Sequence, residues 1–222
     1  IQIKIFLLNM KIRKYLILLI TKFLTMRDQE LLKELFFELT KVFNKKNNLE
    51  ALAIDALNPK YVINYRPKKV CSLSKPFIEV MKKKDAHRVC KNILKVGLEW
   101  SPPTTSTDKL YIEHSLSKAH VELVGPEGIV KSETLRIGLY GMLPNSEYGI
   151  RTHPAEEVYI MLAGTVFWKV DPRPYLLKKP CDRSNHPSMI GHANKTTRDA
   201  FMSIYVWHGD VSTNNYQYKG IN

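Results

Sequence analysis

The strongest constraint on the fold is a change in hydrophobic spacing near residue 100. Before that point, apolar residues recur at the three- and four-residue spacing of amphipathic helices. After Trp100-Ser101-Pro102-Pro103 they come in short runs rich in β-branched and aromatic residues, separated by turn residues. The change predicts a helical region over residues 26–100 and a mainly β domain, an antiparallel sandwich or barrel, over residues 101–222.

The two regions predict particular elements. Helical segments are expected over residues 28–43, Asn48–Leu57 and Lys75–Val96. Strands are expected near Val121–Val124, Leu135–Leu143, Glu157–Leu162, Thr165–Asp171 and Phe201–Trp207. His87 and Cys90 lie beside the apolar stripe of the third helical segment, so we interpret them as core or boundary residues rather than ligands.

Residues 1–25 form a separate apolar and basic segment. Its charged start and short apolar run resemble the first parts of a signal peptide, but Lys22 interrupts the run and no small-residue cleavage site follows. The run is too short and too charged to span a bilayer. We interpret the segment as upstream translation or a dispensable extension, with a signal or membrane-surface anchor as the alternative. Membrane association is therefore not expected, and a cytoplasmic location is predicted.

Charge and cysteine content exclude some classes of function. The net charge is +13, but residues 1–100 hold 21 Lys and Arg against 9 Asp and Glu, and residues 101–222 hold 13 against 12. The basic residues resemble solvated helix faces without the interleaved aromatics of a nucleic-acid groove, so no nucleic-acid partner is expected. Three widely spaced Cys give neither a disulfide framework nor a thiolate zinc site.

The stretch Tyr148–Gly164 carries the clearest chemical signal. On an extended strand, alternate side chains share a face, so Glu157 and Tyr159 point the same way and Glu156 points the other way. His153 has the same parity as Glu157. A buried carboxylate beside an imidazole suits a divalent cation such as iron, zinc, manganese, cobalt or nickel. The alternative is a hydrogen-bonded His–Glu pair at the mouth of a barrel.

A second stretch, residues 180–196, strengthens the metal reading because it contributes His186 and His192. Together the two stretches resemble the paired motifs of the cupin superfamily. His153, three residues, Glu157, six residues and Gly164 match the first cupin motif, whereas Arg151 occupies its first His position. Of the second motif, Pro187 and His192 are retained. The resemblance implies a double-stranded β-helix (jelly-roll) barrel.

Within the cupins, residues 118–210 resemble the lyases of dimethylsulfoniopropionate (DMSP). The similarity lies in AHVELVGPEG, the Y-x4-H-P-A-E-E-x-Y run, HPSxxxHA and the YVWHGD ending. It implies metal ligands at His153, Glu157 and His192, with Tyr159 as the base. It also implies a catalytic Tyr148 and a substrate-contacting Trp207, beside which Tyr205 and Arg151 are candidate substrate-binding residues. His186 and His208 are interpreted as structural or surface residues.

The resemblance implies a metal-dependent carbon–sulfur lyase that cleaves DMSP to dimethyl sulfide and acrylate. One divalent transition metal is expected as cofactor, and a homodimer is a possible assembly. Two alternatives stay open because Arg151 replaces the usual His. One is another cupin enzyme acting on a small carboxylate, such as an isomerase or dioxygenase. The other is a cupin that binds a small molecule without catalysis. Arg151 either grips a carboxylate or points to solvent.

Overall fold

The computed structural model describes residues 26–62, 65 and 71–221. The predictions made for residues 1–25 lie outside these ranges. Residues 26–40 are helical (α1), in agreement with the first predicted segment. The other helices are α2 (Asn48–Ala56), α3 (Lys75–Met81), α4 (Cys90–Ile93) and α5 (Lys109–Ser115), with a 3-10 turn at Pro59–Tyr61. None of the helices in the described ranges has the length and apolarity needed to cross a bilayer.

The prediction of one helix over Lys75–Val96 is wrong. Helix α3 ends at Met81, and α4 begins only at Cys90. Between them the chain leaves the helical path, and the backbone N–H of His87 donates to the carbonyl of Leu162 at 2.7 Å. Within the interruption, the chain is therefore hydrogen-bonded to a residue that is distant in sequence. Cys90 is buried and His87 half-buried, as their interpretation as core or boundary residues requires.

In the described part of the chain, ten strands make two five-stranded antiparallel sheets. One sheet, with β9 at its centre, has the order β1-β2-β9-β4-β7, and the other, centred on β8, has the order β10-β3-β8-β5-β6. The strands are β1 (Lys118–Val124), β2 (Leu135–Met142), β3 (Glu147–Thr152), β4 (Glu156–Ala163), β5 (Val166–Val170), β6 (Leu176–Lys178), β7 (Arg183–His186), β8 (His192–Lys195), β9 (Phe201–His208) and β10 (Gln217–Gly220). This architecture confirms the predicted mainly β cupin fold with N-terminal helices.

Two apolar clusters hold the layers together. The first joins the helices to the outer face of the β9 sheet and includes Phe36 and Phe77 with Ile160 and Ile204. The second lies between the two sheets and is built mainly from aromatic residues. Because strand residues alternate faces, the three central strands of the β9 sheet, β2, β9 and β4, contribute to both clusters. The division into domains at residues 100 and 101 stays a prediction, since one apolar cluster spans the boundary.

Candidate functional site

The side chains of strand β4 alternate between the two faces of the sheet, as the residue spacing in the sequence predicts. Tyr159 belongs to the cluster between the sheets, whereas Val158 and Ile160 belong to the cluster under the helices. Glu157 shares the inner face with Tyr159 and is 1% exposed, while Glu156 is exposed. The inner face of β4 therefore carries a carboxylate and a phenol, side by side and out of solvent.

Three residues from separate elements converge on one point between the sheets. His153 follows β3, Glu157 lies on β4, and His192 begins β8. One ligand atom from each residue lies within 4.8 Å of the other two. The Nε2 atoms of His153 and His192 are each 3.4 Å from Oε2 of Glu157. These are the three residues implied as metal ligands by the cupin resemblance.

The tautomers of the two histidines fit a metal. Nδ1 of His153 lies 3.0 Å from the carbonyl of Ala155, and Nδ1 of His192 lies 3.0 Å from that of Ile190. A carbonyl only accepts, so each Nδ1 carries the proton and each Nε2 presents a lone pair. Both Nε2 atoms are buried without a hydrogen-bond partner among the described residues. A divalent cation would satisfy these two buried lone pairs, which have no hydrogen-bond donor.

Charge states in this cluster also favour a cation. Burial alone would raise the pKa of Glu157, but the polar imidazoles of His153 and His186 beside it outweigh burial, so the pKa lies well below its usual value. Burial lowers the pKa of His192 well below its usual value, and the neighbouring His186 and Arg151 add to this effect. The cluster therefore combines an ionised carboxylate with an unprotonated imidazole, the forms that bind metals.

His186 is buried beside the candidate ligands, so of the structural or surface role interpreted from the sequence only the structural one remains. It is buried on β7, and its Nδ1 lies 2.6 Å from Oε2 of Glu157. Its ring stacks on that of His192 with centroids 4.2 Å apart. The local sequence places His186 in the second stretch but does not predict this contact, which depends on β7 pairing with β4 in a register that places the two residues opposite each other. His208, interpreted in the same way, is exposed.

Trp207 contacts the candidate ligands directly. It lies opposite Glu157 in the pairing of β4 with β9, and its indole N–H donates to Oε1 of Glu157. Its ring stacks on His153 with centroids 4.1 Å apart. The sequence resemblance implied a substrate-contacting residue at this position. The structure adds a contact with two of the candidate ligands.

Arg151 points inward, so the alternative that it faces solvent is wrong. It lies opposite His192 in the pairing of β3 with β8 and is 2% exposed. Its Nη1 and Nη2 are buried and have no hydrogen-bond partner among the described residues. Its Cζ atom lies 4.0 Å from the ring centre of Tyr148 and 6.0 Å from that of Trp168. A buried guanidinium with free donors is a ready site for a planar anion.

A cavity of about 420 Å³ opens beside these residues. Its lining includes five tyrosines and a tryptophan together with the guanidinium: Tyr140, Tyr148, Arg151, Tyr159, Tyr205, Trp207 and Tyr216. Glu99, His120, Glu122, Glu127 and Arg136 also border it. The candidate catalytic and substrate-binding residues thus meet in one space next to the candidate ligands.

The tyrosines of the cavity differ in their partners. The Tyr148 hydroxyl lies 2.5 Å from that of Tyr216, and the Tyr205 hydroxyl lies 2.8 Å from Nε2 of His120. Burial, reinforced by the charge of Glu157, raises the pKa of Tyr159 well above its usual value, while Arg151 opposes the shift. A further cation near Tyr159 would therefore be needed to favour its phenolate.

The sequence profile of a known family matches residues 47–203, which is most of the chain, and it describes dimethylsulfoniopropionate lyases. The chain belongs to the DMSP lyase family. It is 34% identical over 91 residues to dimethylsulfoniopropionate lyase DddQ of Ruegeria pomeroyi. That match covers 41% of this chain and 45% of the relative, so it spans less than half of the relative's length.

Two solved structures of DMSP lyases have a similar fold. The crystal structure of DddQ from Ruegeria pomeroyi is 25% identical, with a TM-score of 0.55 over 69% of this chain and 81% of that one. A chain from the crystal structures of the DMSP lyases RdDddP and RnDddQII is 19% identical, with a TM-score of 0.53 over 67% of this chain and 80% of that one. The first likeness supports the family assignment, and the second supports the fold.

Proposed function

We propose that the chain is a metal-dependent carbon–sulfur lyase that cleaves DMSP to dimethyl sulfide and acrylate. One observation carries the proposal: in a member of the DMSP lyase family, the buried guanidinium of Arg151 and the phenol of Tyr159 line a cavity beside a His–Glu–His cluster. The cavity thus offers an anion-binding group and a candidate base, both close to a candidate metal site.

His153, Glu157 and His192 would hold one divalent transition metal. Two imidazoles and one carboxylate suit iron, zinc, manganese, cobalt or nickel, and three protein ligands leave positions open for other molecules. Such a metal, when bound, withdraws charge from a nearby carboxylate and stabilises the negative charge that forms beside it. The other contributions to the reaction come from side chains that the chain itself supplies.

Arg151 would bind the substrate carboxylate. Its two terminal nitrogens are buried without partners, and a carboxylate can accept from both in a bidentate pair. DMSP carries such a carboxylate next to the carbon that loses a proton. The ring of Tyr148 under the guanidinium restricts its position. We propose Tyr148 as a catalytic-site residue that lines the cavity and keeps Arg151 directed into it.

Tyr159 would act as general base. Its phenolate oxygen takes the proton from the α carbon, the electron pair of that C–H bond becomes the new carbon–carbon double bond, and the carbon–sulfur bond breaks. The bonding pair leaves on sulfur, so the products are neutral dimethyl sulfide and the acrylate anion. The positive charge of Arg151 favours the phenolate, because it opposes the burial that raises the pKa of Tyr159.

The sulfonium group would lie over aromatic faces at another part of the cavity. Cations are attracted to the faces of Trp and Tyr rings. The ring of Tyr148 already lies near two basic side chains, because Nζ of Lys118 is 3.9 Å from its centre and Cζ of Arg151 is 4.0 Å away. We therefore assign the sulfonium to Trp207 and Tyr205, which line the cavity on β9.

Incubation of the metal-loaded protein with DMSP tests this function. Gas chromatography should detect dimethyl sulfide, and proton NMR should detect acrylate in equal amount. Tyr159→Phe should bind the metal as the parent protein does but release neither product, since it lacks the accepting oxygen. If fully metal-loaded parent protein forms no dimethyl sulfide, the lyase proposal is wrong. Oxygen uptake or conversion of other small carboxylates would then favour a different cupin enzyme.

Two further proposals concern the setting of the enzyme. We propose the homodimer as the assembly to test, and we retain the cytoplasm as the expected location. Size-exclusion chromatography with light scattering measures the first, and fractionation of cells that produce the protein measures the second.

A further inference from the structure

Both carboxylate oxygens of Glu157 are held by side chains outside the ligand cluster. Oε1 accepts from the indole N–H of Trp207 on β9. Oε2 lies 2.6 Å from Nδ1 of His186 on β7. Since β9 and β7 are the two strands that flank β4, Glu157 is hydrogen-bonded from both neighbouring strands in the sheet. The donor on β9, Trp207, is already assigned to the cavity, whereas the donor on β7, His186, has no assigned role.

The His186 ring is fixed in turn by Ser184. Nε2 of His186 lies 2.8 Å from the Ser184 hydroxyl, and both side chains are buried. The carboxylate of Glu157 only accepts, so Nδ1 carries a proton and donates it. For the neutral ring, Nε2 then accepts from the Ser184 hydroxyl. Ser184 and His186 are two residues apart, so both lie on the same face of the sheet. It is the face that carries Tyr159 and Glu157, their pairing partners on β4.

From this geometry we propose that His186, oriented by Ser184, is a positioning residue that fixes the Glu157 carboxylate for metal binding. The proposal rests on the metal site of the proposed function, but it does not require that DMSP is the substrate. His186 does not belong to the group of three ligands that converge within 4.8 Å. Its part is to hold one of them.

The position of Arg151 makes such support important. With Arg151 where the cupin motif has a His, the cluster has a single carboxylate and two histidines. A carboxylate left free to rotate about its last bond would present either oxygen to the cavity or turn toward the buried guanidinium. The donor of His186 keeps Oε2 directed between the Nε2 atoms of His153 and His192, each 3.4 Å away.

His186 restrains a second ligand by contact. Its ring is nearly parallel to that of His192, with an interplanar angle of 20° and centroids 4.2 Å apart. The ring plane of His192 is therefore limited from one side by His186 and fixed at Nδ1 by the carbonyl of Ile190. Such outer contacts of metal ligands commonly change metal affinity by about 10- to 100-fold.

Zinc affinity, measured by competition with a chelator, tests the proposal without using activity. His186→Leu fills the space but lacks the donor, and we expect zinc binding about tenfold weaker or more. His186→Asn can place an amide N–H near the position of Nδ1, so its affinity should stay within about threefold of the parent protein. His208→Leu is the matched control, because His208 is exposed on the neighbouring strand β9. It should bind zinc as the parent does.

Cobalt substitution gives a second readout. The visible absorption of bound Co²⁺ reports ligand geometry, so His186→Leu should change the spectrum and His186→Asn should preserve it. Equal zinc affinity and equal cobalt spectra for His186→Leu and the parent protein would overturn the proposal. So would an equal loss in the Leu and Asn variants, because the hydrogen bond would then not be the cause.

Ser184 provides the test if His186→Leu does not fold. Ser184→Ala removes the hydroxyl that orients the ring, and Ser184→Thr retains it. Zinc binding should weaken in the Ala variant, by about tenfold if the orientation of the ring is decisive, and stay unchanged in the Thr variant, which keeps the hydroxyl. Equal affinity of the two variants would overturn the proposal.

The zinc affinities and the lyase assay distinguish this proposal from the proposed function. Absence of dimethyl sulfide with this order of affinities intact would overturn only the lyase function. Loss of the order while dimethyl sulfide is released would overturn only the role of His186.

Discussion

The guanidinium of Arg151 lies over the ring of Tyr148, with its central carbon 4.0 Å from the ring centre. Its two terminal nitrogens have no acceptor among the described residues. A buried charge without hydrogen bonds costs stability, and such costs are common where a site is built to bind a charged ligand. We interpret this arrangement as a preformed site for an anion.

Replacement of Arg151 by Met should therefore weaken substrate binding and leave the fold intact. Hydrogen bonds to charged groups contribute about 1.5–3 kcal/mol, so KM for DMSP should rise about tenfold or more. The thermal midpoint should stay the same or increase, since a buried unpaired charge is removed. Steady-state kinetics and thermal unfolding measure the two effects. Arg173→Met, at an exposed arginine, is the control. An unchanged KM in Arg151→Met would contradict the assigned role.

The His120–Tyr205 pair predicts a pH dependence of stability. Burial, followed by the charge of Arg136, lowers the pKa of His120 to about 4. The unfolded chain has a pKa near 6.5, so between these values the unfolded state binds more protons and stability falls as pH falls. Below about pH 4 this contribution is fully lost. In His120→Gln the decline should be smaller.

Urea unfolding at pH 7 and pH 4.5 measures that difference. The parent protein should lose about 2 kcal/mol more than His120→Gln between these two pH values. His186 and His192, whose pKa values are also lowered, remain in both proteins, so their contributions cancel in the comparison. The same loss in both proteins would show that His120 is protonated in the folded state.

A buried ion pair ties helix α2 to strand β7. Glu50 is 1% exposed, and its two oxygens lie 2.7 and 2.8 Å from Nε and Nη2 of Arg183. The backbone N–H of Asn44 also donates to Glu50. Glu50→Ala should lower the free energy of unfolding by about 2 kcal/mol, somewhat less than for a fully buried pair because Arg183 is partly exposed.

Urea titrations of three variants check this ion pair. The control is Glu30→Ala, which removes an exposed carboxylate and should change the unfolding free energy by less than about 0.5 kcal/mol. Arg183→Ala should be destabilised as well, because it leaves the carboxylate of Glu50 buried without its cation. Wild-type stability in Glu50→Ala would show that the pair does not connect the two elements.

The cysteines should differ in reactivity. Burial raises the pKa of Cys90 to about 12, whereas Cys181 is exposed. The thiolate is the reactive form, so iodoacetamide at pH 8 should modify Cys181 and leave Cys90 free. Mass spectrometry of peptides from the folded protein measures this, and unfolding in urea should make Cys90 reactive. Modification of both at similar rates in the folded protein would contradict the structure.

The sequence by itself determined the main elements of the fold and the inner face of β4. Spacing of apolar residues located α1 and α2, and alternation placed Glu157 and Tyr159 on one face, because both patterns follow from local backbone geometry. Strands with clear apolar character, such as β2 and β9, were found as well. The resemblance to known motifs supplied His153 and His192 as partners of Glu157.

Local patterns did not locate the strands whose residues are mostly polar. Strands β7 and β8, with sequences RSNH and HANK, lack an apolar alternation, because their inward side chains are those of the site. Helix α5 was missed for the opposite reason: its apolar residues Leu110 and Ile112 are exposed. Between α3 and α4 the chain makes a hydrogen bond to Leu162, which is distant in sequence and which local spacing does not reveal.

Only the tertiary structure decided which polar side chains meet. The contact of His186 with Glu157 depends on the register of β7 against β4, and a shift of one residue would turn His186 to the other face. The inward direction of Arg151 depends likewise on the pairing of β3 with β8. Sequence fixes the parity within a strand through covalent geometry. The partner across the sheet is set by packing of the whole molecule, and that packing makes a binding site from residues far apart in the chain.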